Sequence, residues 1–229
     1  MPNTIHPTAI ISGNVEMGSG NTIGAHVIIT GPVMMGDDNW IGTGAVIGAP
    51  PEVRTFGHPR TSDDVAGNGV VIGSRNVIRE YAQVHQGWKG QTVLGDDLFL
   101  MNQVYIAHDC RLADGVTMAS SALLAGHVTV GEGANLGLGT AVHQRVSIGA
   151  ATMIGMGSVV TRNMPPFAKA FGNPARVRGV NKVGMERRGL STGSIEAVAD
   201  QYALPRDQWA FAQLATNAEI ASFFSDWQN

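Results

Sequence analysis

A buried-type aliphatic residue recurs at every sixth position through most of this chain. Ile11, Met17, Ile23, Ile29, Met35, Ile41 and Ile47 keep the interval, Ile72, Ile78 and Val84 resume it, and an unbroken run holds it from Leu94 through Leu100, Ile106, Leu112, Met118, Leu124, Val130, Leu136, Val142, Ile148 and Ile154 to Val160. Neither a helix period of about 3.6 nor a strand period of about 2 gives this beat. The unit is therefore one short strand plus one turn, and three units close a triangular coil of the parallel β-helix kind. Residues about 18 apart then stack in neighbouring coils at about 4.8 Å, and the apolar file of each coil is covered only by the next. The 22 hexads predict roughly seven coils. Glycine often follows the aliphatic residue, as at Gly24, Gly42, Gly131 and Gly137. This predicts a left-handed backbone there, where a residue without Cβ carries no penalty.

The beat divides the chain into a β-helix over 1–163, with excursions at 49–69 and 87–91, a crossing segment at 164–190 and a short helical region at 191–229. Pro165, Pro166 and Pro174 mark the crossing as irregular. Beyond it, Ser194 is expected to cap a helix with Ile195, Val198 and Tyr202 on one face, ended by Pro205. Trp209, Phe211 and Leu214 suggest a second short helix, and Asn217 a cap for a third carrying Ile220, Phe224 and Trp227. These apolar stripes are expected to pack on the solenoid or on a neighbouring subunit.

Composition agrees with a solenoid: 30 glycines and only 14% charged residues suit no helical bundle. The single cysteine, Cys110, excludes an intramolecular disulfide framework and reads as a small core residue. The start lacks the regions of a signal peptide and no apolar run is long enough to span a bilayer, so a cytoplasmic protein is expected. The net charge of −3 hides a local balance of +6 over residues 162–190 beside −4 over 191–229. A narrow basic strip beside an acidic tail suits phosphate-bearing small molecules and not nucleic acid, which needs a broad basic face. A merely solvated basic linker is the alternative.

Hexad counting sends both excursions off one edge of the prism, and four histidines fall on it. His85 lies one residue after Val84, His108 two after Ile106, His127 three after Leu124 and His143 one after Val142. His108 and Asp109 form the strongest dyad, since an imidazole can take a proton from a hydroxyl or amine while a carboxylate orients it. Gly126, in the next coil, can offer an unobstructed backbone N–H to a developing oxyanion. Stacked histidines also raise a zinc site. The wandering offsets and the lack of a cysteine or carboxylate cluster around all four speak against it, and no metal is expected.

At these residues the chain resembles the acyl-carrier-protein–UDP-N-acetylglucosamine O-acyltransferases that begin lipid A synthesis, hexapeptide-repeat acyltransferases. The matching phrases are HPTAI at 6–10, IGSRNVIRE at 72–80, IAHDC at 106–110, LAGHV at 124–128, AVHQ at 141–144, GNPA at 172–175, and GVN followed by RRG within 179–189. The resemblance implies a left-handed β-helix, a homotrimer with substrate between subunits, and transfer of a hydroxyacyl chain from acyl carrier protein to the sugar 3-hydroxyl. It implies His108 as general base, Asp109 as its support and Gly126 as oxyanion donor. Glu52, Arg54, His85, His127, His143, Gln144, Asn181 and Arg187 become substrate contacts, with Met153 and Met156 bounding the acyl chain. Met156 stands where long-chain members can have glycine, which implies a shorter chain; ordinary core packing is the other reading of this residue. No tightly bound cofactor is implied; the donor is an acyl-phosphopantetheine on the carrier protein or on CoA. Tyr105 replaces a histidine common in the family, Val183 a glutamate of some members, and the tail is short and acidic. An acyltransferase on another nucleotide sugar, possibly at an amine and from acyl-CoA, and a catalytically silent trimeric scaffold remain as alternatives.

Overall fold

Hexads become strands because each aliphatic residue turns inward onto its counterpart one coil away. The computed structural model describes residues 1–57, 67–224 and 227. It is a left-handed parallel β-helix of about 9 turns with a few C-terminal helices. Three sheets of 10, 8 and 7 strands form its faces. Ile23, Ile41, Ile78 and Leu100 stack in register inside the first face, Ile29, Ile47, Val84, Ile106, Leu124 and Val142 inside the second, and Met35, Ile72, Leu94 and Leu112 inside the third. All are buried. The stack is longer than the seven coils expected because Thr4–Ile5 adds a strand below it and Ala168–Gly172 one above.

A second six-residue file, Leu98, Val104, Cys110, Val116, Ala122, Val128 and Ala134, is also buried. It explains Cys110: burial pushes the thiol up to about 12, far from the low value that a nucleophilic cysteine needs.

Except at Gly48, whose φ is +83°, the glycine after the aliphatic residue has a different cause from the one expected. At Gly137 no left-handed angle occurs; instead a Cβ there would lie 2.6 Å from the Met156 nitrogen of the next coil. The left-handed position falls two residues later, and is held by Asp109 and His127, both at φ +61°, as well as by glycines.

The segment 164–190 is no irregular crossing. Ala168–Gly172 joins the first face alongside Met153–Ile154, Ala175–Val180 pairs back antiparallel to it, and helix α1 (Lys182–Arg187) follows. Helix α2 (Thr192–Ala203) is capped by Ser191, whose oxygen accepts from Ser194 N–H, and not by Ser194. Ser194 is buried and bonded to Glu219. Helices α3 (Phe211–Leu214) and α4 (Ala221–Phe224) complete the region. Their apolar faces, with Ile195, Val198 and Tyr202, pack on Phe167, Ala168 and Ala151 at the top of the solenoid. No helix among the described residues is long and apolar enough to cross a membrane.

Candidate active site

Both excursions leave the corner between the second and third faces, after Val46–Ala49 and after Gln83–His85. The histidines share that corner without stacking on one another, because a register of 18 puts His108 over Gly126 and Asp109 over His127. A Cβ on Gly126 would meet His108 Cε1 at 2.5 Å and Nε2 at 2.6 Å. Only glycine leaves room for the imidazole here.

Asp109 is fixed mostly by backbone. Its Oδ1 accepts from Lys89 N–H (2.9 Å) and Gly90 N–H (2.7 Å), and its Oδ2 from Trp88 N–H (3.1 Å). Burial works to raise its pKa, but bonds from Gly90, His108, Trp88 and Lys89 outweigh it and hold the carboxyl below its usual value. The short excursion is thus folded around an ionised carboxylate, and Asn68, at the end of the long one, bonds to Trp88 O (2.7 Å).

His108 Nδ1 lies 2.7 Å from Asp109 Oδ2. A carboxylate only accepts, so Nδ1 carries the proton, and in the neutral ring Nε2 is left as a base. Gly126 receives Arg145 N–H at its carbonyl (3.0 Å), and its own N–H has no hydrogen-bond partner among the described residues. The base and an available N–H donor therefore occur together.

The remaining expected residues divide. His127 Nε2 is 3.8 Å from Asp109 Oδ2, and its ring meets His108 edge-on at 5.1 Å. Burial, partly offset by Asp109 and reinforced by Arg145 and His108, lowers the His127 pKa. His85 donates from Nδ1 to Pro50 O (2.8 Å), at the root of the long excursion, and packs against Tyr105 at 5.1 Å. Its Nε2 is buried with no partner among the described residues. His143 and Gln144 are exposed on the same corner, as are Glu52 and Arg54 on the long excursion. Residues 58–66 of the long excursion lie outside the described residues.

Asn181, Arg187, Met153 and Met156 lie elsewhere in the protomer. Asn181 caps α1, accepting from Gly184 N–H at 3.1 Å, and donates to Ala151 O at 2.8 Å. With Arg187, Lys169, Lys182 and Met153 it lines a cavity of about 720 Å³ over the first face. Met156 follows the Met153–Ile154 strand at a third corner and is 74% exposed. It is not core packing within one protomer. The basic strip is likewise split: Arg188 pairs with Glu132 at 2.7 Å, while Arg162 and Arg176 lie near Arg206 of the tail, where burial first and then their charges depress its pKa.

Sequence reasoning missed Trp88, Lys89, Gly90 and Thr92, whose hydroxyl accepts from Asp109 N–H at 3.0 Å. The broken beat at 87–91 was their only signal, since the contacts of Trp88, Lys89 and Gly90 are made by amides.

A family profile described as UDP N-acetylglucosamine O-acyltransferase, domain 2, matches residues 164–222. The acyl-[acyl-carrier-protein]–UDP-N-acetylglucosamine O-acyltransferase of Paraburkholderia phymatum is 44% identical over 138 residues, 59% of this chain and 53% of that protein. Its namesake in Aliivibrio fischeri is 39% identical over 160 residues, 67% and 61% of the two chains. These matches span little more than half the length of the curated relatives. The solved Francisella novicida UDP-N-acetylglucosamine acyltransferase superposes with a TM-score of 0.86 at 26% identity, covering 98% of this chain and 88% of that one. The relatives of this chain, by sequence and by structure, are UDP-N-acetylglucosamine O-acyltransferases. The profile falls on the hairpin and helices, whereas the longer matches reach the solenoid that carries the dyad as well.

Proposed function

We propose that this chain is an acyltransferase that moves a 3-hydroxyacyl chain from the phosphopantetheine thioester of acyl carrier protein to the 3-hydroxyl of UDP-N-acetylglucosamine, working as a cytoplasmic homotrimer at the first step of lipid A synthesis. The observation that carries the reading is the His108 ring, with Nδ1 on ionised Asp109 and Nε2 over Gly126. Nε2 takes the hydroxyl proton as the oxygen attacks the thioester carbonyl, and Gly126 N–H meets the oxyanion. The intermediate collapses by losing the thiolate, which takes the proton from the imidazolium.

What one protomer keeps apart supports the trimer. Its dyad, its Asn181–Arg187 cavity and Met156 sit at different edges of the prism, and neighbouring copies bring different edges together. The test crosses UDP-N-acetylglucosamine and its 3-amino analogue with carrier-protein and CoA donors. Transfer to the hydroxyl from the carrier protein is expected. Transfer only to the amine, only from CoA, or in no combination overturns the reading.

Two further outcomes follow from the contacts carried over. Arg187→Ala should raise KM for one phosphate-bearing substrate about tenfold, with a smaller fall in kcat, because a positioning contact to a charged group is worth roughly 1.5–3 kcal/mol in both ground and transition states. Initial rates against each substrate decide this, and unchanged KM values for both refute it. Met156 denies space to the chain end, and each methylene left unburied forfeits about 0.8 kcal/mol. Chains of about ten carbons should outperform those of about fourteen, and Met156→Gly should shift the optimum of kcat/KM upward.

A further inference from the structure

We propose that His108, Asp109 and His127 together form a zinc site, and that Zn²⁺ bound there reversibly blocks transfer. One ligand atom from each residue lies within 4.8 Å of the others. His108 Nδ1 is 2.7 Å and His127 Nε2 3.8 Å from Asp109 Oδ2. Tetrahedral zinc, with bonds of about 2.0–2.2 Å, separates its ligand atoms by roughly 3.3 Å. Side-chain movements on the order of an ångström meet that geometry. The file of four histidines raises zinc in the sequence, but His85 and His143 take no part; the site arises because Asp109 and His127 occupy the same left-handed turn position in successive coils, with His108 beside the first.

One of the three ligands is held in advance: backbone amides of Trp88, Lys89 and Gly90 clamp the carboxylate. Arg145 follows at the same turn position and its charge opposes a cation, which weakens the site. Two imidazoles and one carboxylate select Zn²⁺ over Mg²⁺, which prefers oxygen ligands and keeps its waters.

The block follows from proton bookkeeping on one ring. A neutral imidazole that gives its Nδ1 lone pair to zinc carries its proton on Nε2, the atom that must be free to accept one. The Asp109 bond to Nδ1–H is lost in the same exchange. Binding stands on the geometry alone, whereas the block rests on the proposed transferase reading.

The test uses the full chain, stripped of metal, in competition with a chromogenic zinc chelator. Wild type should take up a single zinc ion, with affinity reduced at least about tenfold in His127→Ala and in Asp109→Asn, and unchanged in His26→Ala, an exposed histidine on another corner. X-ray absorption at the zinc edge should report two imidazole nitrogens, a readout that needs no variant. Zinc uptake unaffected by both site variants, or a spectrum without imidazole, overturns the site. In the transfer assay zinc should inhibit, a chelator restore and Mg²⁺ leave the rate unchanged; an active, zinc-loaded enzyme overturns the block. A chain that binds zinc as expected but transfers no acyl group from any donor overturns the transferase reading and leaves the site standing.

Discussion

His108→Ala should lower turnover by roughly 10²–10⁴-fold, the usual loss when a general base is removed, while leaving the solenoid folded. The ring is held by Asp109 Oδ2 at 2.7 Å and lies on the surface of the corner over Gly126. The core behind it is made by Ile106 and Cys110, which the substitution does not touch. KM for both substrates should change little, because the imidazole acts on a proton in flight and not on the bound sugar. Single-turnover rates with a circular-dichroism melt decide the matter: a variant within about threefold of wild type removes His108 from the mechanism.

Gly126→Ala should cost about 10²-fold although the substitution removes no functional group, a loss typical of reacting atoms displaced by about an ångström. The new Cβ would sit 2.5 Å from His108 Cε1 and 2.6 Å from Nε2, so the ring must swing away. Gly126 has no left-handed angle to lose, and backbone strain does not enter. If the effect runs through His108, the double variant should be no worse than His108→Ala alone. A double variant as poor as the product of the two losses would falsify that route.

Much of this site was legible because the fold converts counting into position. An interval of six fixes which residues face inward, and a register of 18 puts His108 over Gly126 without any appeal to tertiary contacts. Adjacent His108 and Asp109 needed only the corner turn to meet. What escaped is what amides do. The carboxylate clamp comes from three N–H groups, and every residue but proline has one, so the side chains at 88–90 carried no mark of it. The left-handed turn position was misplaced because glycine serves two ends, close coil contact at Gly137 and a positive φ at Gly139. The hairpin over 168–180 escaped because its strands continue the first face without keeping the six-residue beat. Ser191 and Ser194 are both plausible caps by type, and what separates them is that Ser194 is buried while its N–H donates to the Ser191 oxygen.

The same register makes the site intolerant of length changes in a way that packing alone would not. One residue gained between Ile106 and Leu124 would slide Gly126 and His127 by one step, and the imidazole would then face a side chain in place of hydrogen. Six residues gained would restore the apolar beat and the core yet carry Gly126 to a different edge. Eighteen would return it to the right edge but one storey too far from His108. Point substitutions can wander along the outer faces of such a prism, but insertions can enter only at the corner loops that already break step, and the two present here both open on the dyad's corner, in the two coils before it.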